Sequence, residues 1–329
     1  MSATNLQVDA PLCVKFQDQK VVLIKTRKGI FAYEDFCPHR GLALSEGFVK
    51  EGQLICKYHG WQFDCSNGEN TLVPVKNQPI LCKLKPLFAK EQYGFIWLSK
   101  DSNALLPNLS TNTPTFLLEG TIHAQAINVL ENFLEGSHTH YIHDGLIRSK
   151  NKKRHRIMGH IKNYEWGFRV TYDKEAAKGW ITRLLPKSYQ DLYSVSTYIH
   201  PGIAVLEFYN QSNHSIAKFE ATLAQDDKTT KYFARIFLNV GWLTPFIKPL
   251  ANLVFQKIVN QDKIILELQE KNLKNFINSD FVSDQTDLVG KYIYAWQKQR
   301  SKELNEENSS DRCSRIFGRA NSKVFGFKF

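Results

Sequence analysis

Phe36-Cys37-Pro38-His39-Arg40-Gly41 and Cys56-Lys57-Tyr58-His59-Gly60-Trp61 are the two short stretches from which the rest of the chain is read. They form a C-x-H pair and a C-x2-H pair, with sixteen residues between His39 and Cys56. Two thiolates and two imidazoles so spaced hold a [2Fe–2S] cluster, with Cys on one iron and His on the other. The same ligand types also hold a tetrahedral zinc ion. In the cluster, exchanging two thiolates for neutral imidazoles raises the potential above that of an all-Cys centre. Pro38 fixes φ beside the first ligands, and Gly41 and Gly60 permit the turns that bring backbone N–H groups to sulfur.

An electron carrier built on these loops needs only the first third of a 329-residue chain, and the length predicts about two domains. Of six cysteines, Cys13, Cys65, Cys82 and Cys313 lie outside the loops at no framework spacing, the usage of a reducing compartment. No apolar run of signal-peptide length opens the sequence, and Ile236 to Val259 is broken by Asn239, Pro245, Lys248, Pro249 and Asn252. A cytoplasmic protein without a membrane span is expected. The formal charge is +11, densest from Arg148 to Arg156. That run reads as a solvated loop or as a dock for an acidic electron-transfer partner. No nucleic-acid signature accompanies it.

Residues 1–106 read as an all-β module: Lys20–Lys25, Phe31–Tyr33, Gln53–Cys56 and Gly94–Leu98 are β-rich runs between Gly, Asp and Asn turns. The Ser/Thr/Asn/Pro stretch from Leu105 to Pro114 sets a boundary before a second domain, 107–329. There the period turns helical from Ala126 to about His143. Strands follow at Trp166–Tyr172, Tyr193–Ile199, Ala204–Tyr209, Ala217–Ala224 and Tyr232–Val240, then a long helix through Leu253–Phe276. The last thirty residues are polar and expected to be only partly ordered. Phe168, Trp180, Tyr198, Phe208, Phe219, Phe237, Trp242 and Phe246 make this domain aromatic-rich, which suits either an apolar cavity or plain core.

A helical wheel through Leu130-Glu131-Asn132-Phe133-Leu134-Glu135-Gly136-Ser137-His138 puts Glu131, Glu135 and His138 on the face of Ile127, Leu130 and Leu134. Ionisable groups aimed at a core are costly unless paired or bound to metal. On the later helix Ile258, Asp262, Ile265, Gln269, Leu273 and Phe276 fall on one stripe, so Asp262 is an acid in an apolar face, while Glu267 points to solvent. Two histidines and one carboxylate are the facial triad of non-haem Fe(II), which leaves positions open for O2 and substrate. His138, His143 and Asp262 are the expected ligands; His140 falls on the other side of the helix.

Taken together, the loops resemble those of Rieske proteins, and the whole pattern resembles the catalytic α-subunit of Rieske non-haem iron oxygenases. The motif Glu131-Asn132-x2-Glu135-x2-His138-x4-His143 and the later Asp262-x4-Glu267-x-Gln269 carry the likeness, from about residue 20 to 275. It implies an α+β chain: an N-terminal all-β Rieske [2Fe–2S] domain and a C-terminal helix-grip catalytic domain. Cys37, His39, Cys56 and His59 would hold the cluster, and a mononuclear Fe(II) the second site. Asn132 and Glu135 would belong to the catalytic machinery, Glu135 bridging a cluster histidine of one subunit to an iron ligand of the next in a head-to-tail homotrimer. The family more often has Asp at that bridge. Leu42 and Tyr58 stand where high-potential Rieske proteins carry an extra cysteine pair, and Trp61 where they carry Ser, so a potential of about −150 mV is expected. The compact ends point to the α-only branch of O-demethylases and monooxygenases. The implied activity is hydroxylation or oxidative dealkylation of a small hydrophobic substrate by O2. Ring dihydroxylation, desaturation and a pure electron-transfer or redox-sensing role are the alternatives. No nicotinamide motif is present, so NAD(P)H would act through a separate reductase, with or without a ferredoxin.

Overall fold

The computed structural model describes residues 3–16, 19–104, 106–143, 146–147, 156–173, 192–226, 228–276, 281–283, 287–307 and 322–328. Trp180, Cys313 and the basic run 148–155 lie outside the described residues. The chain divides into two compact units, Met1–Thr111 and Asn112–Phe329.

The first unit holds two antiparallel sheets. One runs in the order β1 (Leu12–Phe16), β2 (Gln19–Thr26), β3 (Gly29–Glu34), β8 (Pro86–Gln92), β9 (Phe95–Ser99). The other is a meander of β4 (Phe48–Lys50), β5 (Gln53–Ile55), β6 (Gln62–Asp64) and β7 (Asn70–Leu72). Val21 to Ile24 of β2 are all fully buried, because alternate side chains feed two cores. Val21 and Leu23 join Ala32, Leu87 and Ile96. Val22 and Ile24 join Tyr33, Leu44, Leu54 and Phe63, and this second cluster also contains Cys37 and Cys56. The two loops that carry the C-x-H and C-x2-H pairs therefore grow directly from a packed core. Asp35 pins the first of them by accepting from the Ser45 N–H (2.8 Å) and hydroxyl (2.6 Å).

The second unit is built on an eight-stranded antiparallel sheet. Its order is β10 (Phe116–Ile122), β16 (Thr229–Leu238), β15 (Ser215–Asp226), β14 (Ile203–Asn210), β13 (Leu192–Ile199), β12 (Gly167–Tyr172), β11 (Arg156–Tyr164) and β17 (Ser322–Lys328). Among the described residues, three helices pack on it: α1 (Ala126–Leu134), α2 (Thr244–Leu273) and α3 (Leu288–Glu307). Phe168, Val170, Tyr198 and Ala204 meet Leu130, Leu134, Leu288, Val289 and Ile293 in one core. Leu118, Ala221, Ala234 and Ile236 receive Phe133, Phe255 and Val259 in another. Burying one such large side chain is worth about 1.5–3 kcal/mol.

Two expectations are corrected here. The helix expected to run to His143 stops at Leu134. Glu135 is extended (φ −92°, ψ 155°), Gly136 follows, and the histidine segment restarts as a short 3-10 turn, His138–His140. The cause is local: the Glu135 carboxylate accepts the Ser137 and His138 N–H groups, competing with continuation of the helix. Along α2 the inward line is Phe255, Val259, Asp262, Leu266 and Glu270, while Ile265, Gln269 and Phe276 are exposed. Both stripes pass through Asp262 at helical spacing, and packing against β10 and β16 selects this one. At the C-terminal end, Ser322–Lys328 pairs with β11, an alternating Val-Phe-Gly-Phe run that adds an edge strand.

Candidate metal centres

The two loops of the first unit repeat one backbone design. The Cys37 N–H donates to the Leu42 carbonyl and the Gly41 N–H to the Cys37 carbonyl (2.9 and 2.8 Å). The Cys56 N–H donates to Trp61 and the Gly60 N–H to Cys56 (both 2.9 Å). Closing both turns needs a left-handed residue four positions after the cysteine, and Gly41 (φ +78°) and Gly60 (φ +71°) supply it. Cys37 and Cys56 are buried, and the His39 and His59 rings meet edge-on with centroids 4.5 Å apart. Trp61 stacks flat on His39 at 4.5 Å. Burial pushes the Cys37 thiol up to about 11, with the neighbouring Cys56 adding to it, whereas the His39 and Arg40 N–H groups pull it down. Two buried thiols, N–H groups aimed at the Cys37 sulfur, and a buried His39 Nδ1 with no hydrogen bond from any described residue form a donor set that fits a [2Fe–2S] cluster.

In the second unit, the ligand atoms of His138, His143 and Asp262 all lie within 4.8 Å of one another. Asp262 Oδ1 is 3.1 Å from His143 Nε2 and 3.6 Å from His138 Nε2. Each imidazole is held from behind. His138 Nδ1 meets Glu135 Oε1 at 2.5 Å, and the second Glu135 oxygen accepts from the Ser137 N–H and hydroxyl. His143 Nδ1 meets Gln261 Oε1 at 3.0 Å. Donation through Nδ1 leaves both Nε2 lone pairs aimed at Asp262, the second-shell arrangement that orients metal-binding histidines. Buried Asp262 Oδ1 accepts no hydrogen bond from any described residue. A buried carboxylate oxygen facing two imidazole nitrogens is costly alone and fits a shared divalent cation.

Burial raises the Glu135 carboxyl, but the bond and charge of His138 and the two bonds from Ser137 outweigh it and hold the group below its ordinary range. The neighbouring Glu131 goes the other way, raised by burial and by the charges of Glu135 and Asp287. Asn132 is half-buried on α1. Glu267, expected to be solvated, instead accepts the His123 N–H at 3.0 Å and faces Lys263 at 3.8 Å, tying α2 to the lead-in of α1. Gln261 was not foreseen from the sequence; its signal was a polar residue beside an inward acid, one residue off the apolar line. The aromatics divide: Phe168 and Tyr198 are core, while Trp242 and Phe246 stand exposed. Among the described residues no helix is long and apolar enough to cross a membrane.

Residues 1–88 match the Rieske [2Fe-2S] domain family, and residues 122–291 match the vanillate O-demethylase oxygenase C-terminal domain family. A 4beta-methylsterol monooxygenase of Methylococcus capsulatus is 27% identical over 285 residues, 78% of this chain and 75% of that protein. The methylxanthine N1-demethylase NdmA of Pseudomonas putida is 30% identical over 234 residues, 68% of this chain and 65% of that one. The solved structure of NdmA with caffeine superposes with a TM-score of 0.72 at 24% identity, covering 93% of this chain and 92% of that one, a likeness of fold. A cluster-binding module followed by an oxygenase module, each matched along its own stretch, makes this chain a member of the Rieske non-haem iron oxygenases.

Proposed function

We propose that the chain is the oxygenase component of a Rieske monooxygenase that oxidises a methyl or other alkyl carbon of a small hydrophobic substrate. In this reading residues 1–106 are the electron-relay domain, with Cys37, His39, Cys56 and His59 holding the [2Fe–2S] cluster. Residues 107–329 are the catalytic domain, with His138, His143 and Asp262 holding the mononuclear iron. One observation carries it: two imidazole Nε2 atoms and a buried, otherwise unbonded Asp262 oxygen converge on one point. Both relatives are named for methyl-bearing substrates, a sterol and a xanthine, which makes the methyl carbon the reacting atom proposed here.

Fe(II) held by this triad supplies O2 activation at its open positions. The chain's own residues set the conditions. Gln261 and Glu135 fix both histidine tautomers, so neither ring must reorient. Glu135, kept ionised, is the acceptor through which a cluster histidine of a neighbouring subunit couples to His138 in a homotrimer. Asn132 borders this segment on α1. In balance, one oxygen atom enters a C–H bond and the other leaves as water, with two electrons and two protons supplied through a separate NAD(P)H reductase.

Iron and acid-labile sulfide are to be counted in the purified full-length chain, and methylated aromatic and sterol substrates turned over with a generic reductase under labelled O2. Three irons and two sulfides per chain, with label in the product or in released formaldehyde, are expected. Two irons per chain after reconstitution would reduce the molecule to an electron carrier.

A further inference from the structure

The two histidines of the cluster loops are not screened alike. His59 is exposed, and Tyr58, tilted 35° against it at 3.8 Å, is itself 62% exposed. His39 is half-buried, and its Nδ1 is buried outright. One face of the His39 ring is taken by Trp61, whose indole lies parallel to within 7° at a centroid distance of 4.5 Å. Rings that close leave no gap for a water molecule, which is about 2.8 Å across. Trp61 is itself fixed. Its carbonyl accepts the Cys56 N–H at 2.9 Å, and its side chain packs on the core that holds Cys37, Leu44, Cys56 and Phe63, with the Phe63 ring centred 6.4 Å away. Whatever meets the exposed His59, His39 is covered by a side chain of the same unit.

We infer that Trp61 is a positioning residue for electron transfer: by covering His39 it keeps water from the cluster and holds the reduction potential low. The inference rests on the assignment of Cys37, His39, Cys56 and His59 to the cluster. Reduction adds one electron, turning one of the two ferric irons ferrous, so the cluster gains a negative charge. Water and hydrogen-bond donors favour that charge, whereas a dry shell opposes it, which is why solvent access tunes such centres. The indole face is electron-rich, so it favours the less negative, oxidised state. The low potential expected from the missing Ser hydroxyl therefore has a second source in the ring that replaces it. Were Trp61 only filling the loop, its removal would loosen the cluster without moving its potential.

The potential is to be measured in the full-length protein by redox titration followed in visible circular dichroism, with iron and acid-labile sulfide counted in each sample. Trp61→Ala should raise the equilibrium constant for reduction by a fixed donor about tenfold, which is about 59 mV for a one-electron couple. Trp61→Phe keeps a flat ring over His39 and should stay within about twofold of the parent. Neither variant, nor Trp61→Val, brings a hydroxyl to the cluster, so a shift reports the uncovered ring. An unchanged constant in Trp61→Ala overturns the inference, as does a Trp61→Phe protein shifted as far as the alanine one. If Trp61→Ala loses its sulfide, Trp61→Val decides. A rise of about threefold there supports the cover, while no rise, or loss of sulfide there too, assigns Trp61 to holding the loops together and overturns it. A parent without acid-labile sulfide would instead sink the cluster assignment itself, and this inference with it.

Discussion

At the scale of single residues, Gln261 holds His143 to one tautomer: the amide oxygen accepts from Nδ1–H and leaves the Nε2 lone pair facing Asp262. Gln261→Leu removes that acceptor and strands a buried N–H beside His143. Cobalt(II) titration of the iron-free protein should show affinity lower by about 10- to 100-fold. Gln261→Glu keeps an acceptor and should recover most of it; equal loss in both variants would assign Gln261 to packing alone. Glu131 makes a pH prediction. Its carboxyl is raised above the ordinary 4.5 by burial, then by Glu135 and Asp287, with Tyr294 also nearby. A raised carboxyl contributes stability below its unfolded value and loses it as pH climbs through the folded value. Glu131→Gln should therefore melt a few degrees above the parent near pH 7, with the gain vanishing as the pH falls toward 4.5. Single residues were legible where chemistry is rare. Cysteines and histidines in a short pattern, or one acid in an apolar stripe, stand out in a sequence. Gln261 did not, because an amide is ordinary until the imidazole it faces is known.

At the scale of elements, the end of α1 decides where the histidines sit. Ser196 of β13, itself buried, donates its hydroxyl to the Leu134 carbonyl at 2.8 Å, satisfying the last turn just before Glu135 breaks away. Ser196→Ala leaves that carbonyl buried and unbonded, a loss of about 1–3 kcal/mol measurable by urea unfolding. The variant should also bind cobalt(II) more weakly, since the Glu135–His138 segment is anchored through this point. A stability loss with unchanged metal affinity would separate the helix end from the site. The break itself could not be read from the wheel. Gly136-Ser137 fits an interrupted helix as well as a continuous one, and the deciding bonds come from a Glu135 side chain whose direction is set by the fold. Helix α2 was legible through sustained period, although its inward line lay one residue from the expected one. Strands β4 to β7 have three residues each, too few for any alternation to register.

At the scale of the molecule, the change from short β-runs to helix and long strands announced two modules. The strand order β10-β16-β15-β14-β13-β12-β11-β17 was beyond reach, since pairing of β10 with β16 joins residues more than a hundred positions apart. Each unit has its own cores, and each candidate centre draws all its ligands from one unit. Chains of this kind need not unfold in one step. Heating should give two transitions, and only the one belonging to the 112–329 unit should respond to a mild chelator. The triad offers three ligands and open positions, whereas a cluster is held by four ligands and its own sulfides. Iron at a hundredfold excess over its dissociation constant contributes about 2.7 kcal/mol to a folded unit. At this size that amounts to about 5–10 °C. Scanning calorimetry with and without chelator should show that shift, while the visible absorption of the cluster stays until the other transition. Asp262→Ala should melt like the chelated parent and not respond to chelator. A single transition moving as one, or an Asp262→Ala protein that still shifts, would mean that the metal stabilising the second unit is not held by His138, His143 and Asp262.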